Sequence, residues 1–158
     1  MATKGPSARA PEVKHFCSQF ERISAEAEAL VAPLSDEQFA WQPPPDAWSV
    51  SQCLDHLNAT ARQYLPAMDG GVAEAVRRGL YGIGPCSYNW IGRLMVHLMQ
   101  PTTRLCASAP QTFRPEPGRS RHDVTAAFHA YQVQYIDRLH QADGLDLARA
   151  RMSSPVAR

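Results

Sequence analysis

Apolar residues return at intervals of three and four through Val13, Phe16, Cys17, Phe20, Ile23, Ala27, Leu30, Val31 and Leu34. That period confines them to one side of a helix and predicts a first amphipathic segment ending near Pro33. A second stripe, Val50, Cys53, Leu54, Leu57, Ala61, Tyr64, Leu65 and Met68, predicts a helix over 49–78, kinked or locally broken at Pro66. A third, Val124, Phe128, Tyr131, Tyr135 and Leu139, follows Ser120 and runs to a glycine C-cap near Asp143-Gly144. From Trp90 to Met99 the chain is apolar over a wide arc, with Arg93 and His97 opposite, which predicts a short packed helix. No stretch alternates as a strand would, and no repeat is present.

The joints between these segments carry their own chemistry. Ser35 to Gln38 and Ser49 to Gln52 both have the S-x-x-Q form of a capping box, so a single turn starts at the first and the second long helix at the other. Trp48 and Cys53 occupy the two positions of a hydrophobic staple around that second start. Between them Trp41-Gln-Pro-Pro-Pro45 forces an extended, stiff path. Residues 101–119 hold four prolines and form a long crossover, which lets neighbouring helices run parallel. Residues 1–10 read as a flexible lead-in, and 11–158 as one domain.

Three amphipathic helices and one crossover call for a fourth helix to close a bundle. Ser153-Ser-Pro155 offers a start signal for it, and the sequence stops at Arg158. The expectation is an all-α bundle incomplete at its C-terminus, either a fragment of a longer protein or a chain whose open apolar groove a partner fills.

Composition narrows the class. At 158 residues, 44% apolar and 20% charged, the chain suits a folded globule. Sixteen Lys and Arg against fifteen Asp and Glu leave no basic surplus for a nucleic acid. No run reaches the length of a membrane span and no signal peptide opens the chain, so a cytoplasmic protein without a membrane partner is expected. Cys17, Cys53, Cys86 and Cys106 lack CxxC spacing and are expected as thiols, with Cys17 and Cys53 buried and inert and Cys86 in a loop.

Six histidines raise a metal question, since imidazole is the commonest zinc ligand and needs companions. His122, His129 and His140 fall on one line opposite the apolar stripe, facing solvent, with axial separations of ~10 Å and ~16 Å at the helical rise. They cannot share one ion. His15 and His97 also lie off the core. His56 sits at the margin of its stripe and can point into a bundle end or along its flank, as a boundary residue or as a ligand. Its neighbours Asp55 and Asn58 read first as solvated helix-face groups, with orienting His56 or a ligated water as the alternative, and Trp41 and Trp48 as rings capping the core, with ligand stacking as the alternative. No HExxH, phosphate-binding loop, nucleophile elbow or dinucleotide turn is present.

The stretch from Leu34 through Trp41, Trp48-Ser49-Val50 and His56 resembles the DinB-like superfamily, whose second helix opens with a W-S-(V/I) signal and carries a histidine seven or eight residues later. Phe113-Arg-Pro-Glu-Pro, the helix after Ser120 and the Ser153-Ser-Pro155 tail follow in the expected order, so the likeness covers nearly the whole chain. It implies an up-down-down-up four-helix bundle, often a homodimer, with a divalent metal such as zinc or nickel held by three histidines. His56 matches the first ligand. The H-x-x-x-H that supplies the other two has no counterpart in this sequence. The activity implied is that of a metal-dependent hydrolase or a thiol S-transferase acting on a small molecule, with a non-catalytic binding or dimerisation module as the alternative.

Overall fold

The computed structural model describes residues 10–44, 47–82 and 109–157. Residues 1–9 of the expected lead-in, the helix over Trp90–Met99, Cys86, His97, Cys106 and the first part of the crossover lie outside the described residues. Within them there are four α-helices, α1 (Pro11–Val31), α2 (Asp36–Ala40), α3 (Val50–Arg77) and α4 (Arg121–Gln141), with short 3-10 turns at Gln111–Phe113 and Pro155–Ala157. No helix among them is long and apolar enough to cross a membrane.

Local chemistry sets the helix ends. Pro11 occupies the first turn of α1, where its missing N–H costs nothing. Both capping boxes form: Ser35 accepts from the Gln38 N–H and Ser49 from the Gln52 N–H, while each glutamine side chain returns to its serine's N–H. The second box starts α3 within one residue of the expected place. Pro66 does not break α3, which runs through it to Arg77. The proline is exposed there and removes one ladder bond, leaving the Arg62 carbonyl without its helical donor. At the far end Gly79, at φ 64°, lets its own N–H reach the Val76 carbonyl and the Leu80 N–H reach Ala75, a Schellman closure.

Pairwise contacts fix the direction of each helix. Ala10 at the start of α1 donates to Asp143 beyond α4, and Arg121 at the start of α4 donates to the Val31 carbonyl at the end of α1, so these two are antiparallel. Asn58 bonds the Val124 carbonyl and Asp69 pairs with Arg138, so α3 and α4 run parallel, as the long crossover allows. Up, down, down is the resulting order of the three long helices among the described residues.

The main core joins Val31, Phe39, Leu54, Val124 and Phe128. Burying a ring such as Phe39 or Phe128 contributes roughly 2–3 kcal/mol relative to leaving it in water. The Arg121 guanidinium lies 5.6 Å from the Phe39 ring centre and also donates to the Leu34 carbonyl, tying α2 and the end of α1 to the start of α4. A second apolar cluster, Ala75, Leu80, Ala142 and Leu145, closes the opposite end. The bridge between Tyr81 and Leu145 accompanies it.

Several positions differ from their expected burial. Ile23 and Leu30 on α1 and Leu57 on α3 are 39%, 59% and 45% exposed. They lie on the flanks of their stripes, which the described helices do not cover. Cys53 is exposed rather than buried for the same reason, whereas Cys17 is buried as expected. Trp41, 63% exposed, does not cap the core, because α2 places Phe39 there instead.

Candidate functional site

Helix α3 begins at a buried serine. Ser49 is 4% exposed and its capping box fixes the first turn, so residues two turns further on emerge in a set direction. Among them are Asp55 and His56, which successive helix positions send about 100° apart. Both meet the same piece of chain, the end of the crossover, where the 3-10 turn Gln111–Phe113 folds back on α3.

His56 is half-buried, and its Nδ1 lies 2.6 Å from the Phe113 carbonyl oxygen. A carbonyl only accepts, so Nδ1 donates, and in the neutral ring the lone pair falls on Nε2. That is the arrangement by which ligating imidazoles are oriented, with a backbone carbonyl holding one nitrogen and the other left for a metal. The Trp48 ring packs 5.0 Å from the imidazole at 49°, and Phe113 is itself anchored, 4% exposed with its ring 6.4 Å from that of Tyr64. Trp48 therefore backs the histidine instead of lidding the core.

Asp55 is 1% exposed, which corrects the expectation of a solvated carboxylate. Its Oδ2 accepts from the Glu116 N–H at 2.6 Å and its Oδ1 from Arg119 at 3.4 Å. Glu116 stands between Pro115 and Pro117, so it holds the only N–H of that triplet, and Asp55 satisfies it. On the surface Glu116 also pairs with Arg62 at 3.0 Å. Asn58 is wholly buried too, donating to the Val124 carbonyl at 3.0 Å, while its Oδ1 finds no partner among the described residues. Sequence reasoning missed the burial of both: for Asp55 the signal was Pro115-Glu116-Pro117 of a distant loop, with its single N–H, and Arg119 in need of an acceptor, while nothing nearby signalled Asn58.

The other described histidines stay apart from His56. His15 bonds Gln19 on the surface and His122 lies beside Asp123, largely exposed. His129 does not face solvent: its Nδ1 lies 2.7 Å from the Ser24 hydroxyl in the α1–α4 seam, and His140 is half-buried. Among the described residues no group of three or more His, Cys, Asp or Glu is placed to hold a metal ion. His56 thus suits a ligand singly, but the donor set around it does not fit a complete metal centre. Burial pushes the Cys53 thiol up, away from thiolate, even though much of the residue is exposed.

Two clefts lie further along α3. One of about 460 Å³ opens between Arg62, Pro66, Gly70, Glu74 and the tail at Arg151 and Ser153. The other, about 260 Å³, is apolar, lined by Met68, Val72, Leu139, Leu145, Leu147 and Met152.

Neither the curated proteins nor the solved structures compared with the chain give a match. Among family models, that of the DinB superfamily matches residues 19–157, a span that takes in the paired capping boxes, the W-S-V opening of α3, His56 and the crossover that holds it. The chain belongs to the DinB superfamily.

Proposed function

We propose that this chain is a metal-associated member of its superfamily in which His56 ligates zinc or nickel through Nε2, and that its chemistry is hydrolysis or thiol S-transfer on a small molecule in the cytoplasm. One observation supports the ligand role above the rest: the 2.6 Å bond from Nδ1 to the Phe113 carbonyl, which in the neutral ring leaves the lone pair on Nε2. Imidazole suits both metals, and a bound divalent ion would supply Lewis acidity to water or a thiol. The described residues contribute orientation. Phe113 fixes the ring, Trp48 shields one side of it, and the Asp55 clamp fixes the loop that carries Phe113. Because one imidazole alone neither binds tightly nor sets geometry, no catalytic step is assigned to these residues.

Calorimetric titration of the purified chain with Zn²⁺ and Ni²⁺, beside His56→Ala, tests the reading. Binding of either ion that is lost in the variant is expected, and tight binding near one ion per chain would mean that His56 finds companion ligands, across a dimer for instance. Equal binding by both proteins would refute it.

The apolar cleft at Met68, Val72 and Leu139 and the exposed Ile23, Leu30 and Val133 support a second reading, a non-catalytic module that forms a homodimer. A metal-independent dimer mass with unchanged affinity for either ion in the His56→Ala chain would favour it.

A further inference from the structure

We infer that Asp55 is a positioning residue for His56, acting through the crossover: its carboxylate holds the loop in the register that presents the Phe113 carbonyl to Nδ1. The inference rests on the ligand reading of His56 for its functional meaning, while its geometry stands apart from any metal.

Two adjacent residues of α3 grip the loop at two points. His56 takes the Phe113 carbonyl, and Asp55 takes the N–H of Glu116, three residues later. Phe113 is followed by an extended Arg114, at φ −75° and ψ 147°, then by Pro115. A proline-stiffened strand of this kind spans about 10 Å over three residues and has little freedom to absorb a shift at one end. Moving Glu116 therefore moves the Phe113 carbonyl.

The anchor at Asp55 is the firmer of the two. It is 1% exposed, it receives the only N–H that Pro115-Glu116-Pro117 offers, and Arg119 approaches its other oxygen. A carboxylate so placed, on the helix turn that carries a candidate ligand and bonded only to the loop orienting that ligand, does more than fill a core. An apolar residue of similar size would pack the space but leave the Glu116 N–H unmet and the loop free to slide.

Nitrogen-15 NMR of the histidine rings in the metal-free chain tests this. In the native protein His56 is expected to show well-separated ring nitrogens, Nδ1 protonated and Nε2 not. In Asp55→Ala those two resonances should move toward each other as the ring exchanges into the opposite tautomer, with the other histidines unmoved. Asp55→Asn, which keeps an oxygen for the Glu116 N–H while losing the charge, should restore the native pattern. Should the alanine variant fail to fold, Asp55→Ser, which is too short to reach Glu116 but keeps a polar group in place, serves in its stead. An unchanged His56 tautomer in the folded alanine or serine variant would overturn the inference, as would an asparagine variant that behaves like alanine. A tautomer that responds in a chain that binds no metal would keep Asp55's role and remove only the ligand role of His56.

Discussion

The two halves of α3 are held in different ways. Toward its N-terminus the helix is fastened by buried and half-buried polar side chains: Ser49 in its box, Asp55 on Glu116 and Arg119, His56 on Phe113, and Asn58 on Val124. Toward its C-terminus the buried contacts are small apolar side chains and backbone bonds, with the polar Asp69–Arg138 pair lying at the surface. Ala75 packs with Leu80, Ala142 and Leu145, the Asp146 N–H meets the Leu80 carbonyl, and the tail lies so close that a Cβ on Gly71 would fall 2.9 Å from that of Met152. Apolar packing tolerates small rearrangement, whereas hydrogen bonds fix direction, and groups buried for direction are costly to bury. The difference marks the first half as the place where orientation matters.

Removing the charge at the polar end should have the largest effect. Asp55→Ala leaves Arg119 and the Glu116 N–H without their buried acceptor, and a loss of about 3 kcal/mol is expected in urea unfolding, against a smaller loss for Asp55→Asn. At the apolar end Ala75→Leu overfills a site that is 1% exposed and should cost about 2 kcal/mol without altering the His56 ring signals. A loss at Ala75 that also disturbed His56 would show the two halves to be coupled.

The contrast between the halves was only partly legible in the sequence. The capping boxes and the bounds of α3 could be read because they depend on neighbours three residues away, and the parallel packing of α3 and α4 because a long proline-rich connection permits it. The burial of Asp55 and Asn58 could not. A helical wheel counts apolar neighbours on the same helix, while the partners of these residues lie 61 and 66 positions away. His129 escaped for the same reason, its partner being Ser24 on another helix. Of the site itself, the W-S-V opening pointed to His56, and nothing local could show that Phe113 orients it.

Smaller effects sharpen the picture further. Ser49→Ala removes one arm of the box that sets the direction of α3 and should cost about 1 kcal/mol, read as a lowered Tm. Tyr135, stacked on Phe20 at 4.9 Å, has its phenol pushed up to about 12, first by burial and then by Tyr64. Its folded value lies above the ordinary 10, so the unfolded chain loses the proton first. Stability from this group is full below pH 10 and declines as pH rises toward about 12, and Tyr135→Phe should flatten that alkaline decline in a series of melts.

The central claim, that His56 is oriented to bind a metal through Nε2, is tested most directly by following all six histidine rings by nitrogen-15 NMR while Zn²⁺ is added to the intact chain. The account predicts that the Nε2 resonance of His56 shifts on binding while its Nδ1 proton stays bonded to Phe113. A zinc-induced shift confined to other histidines, or none at saturating metal, would contradict it.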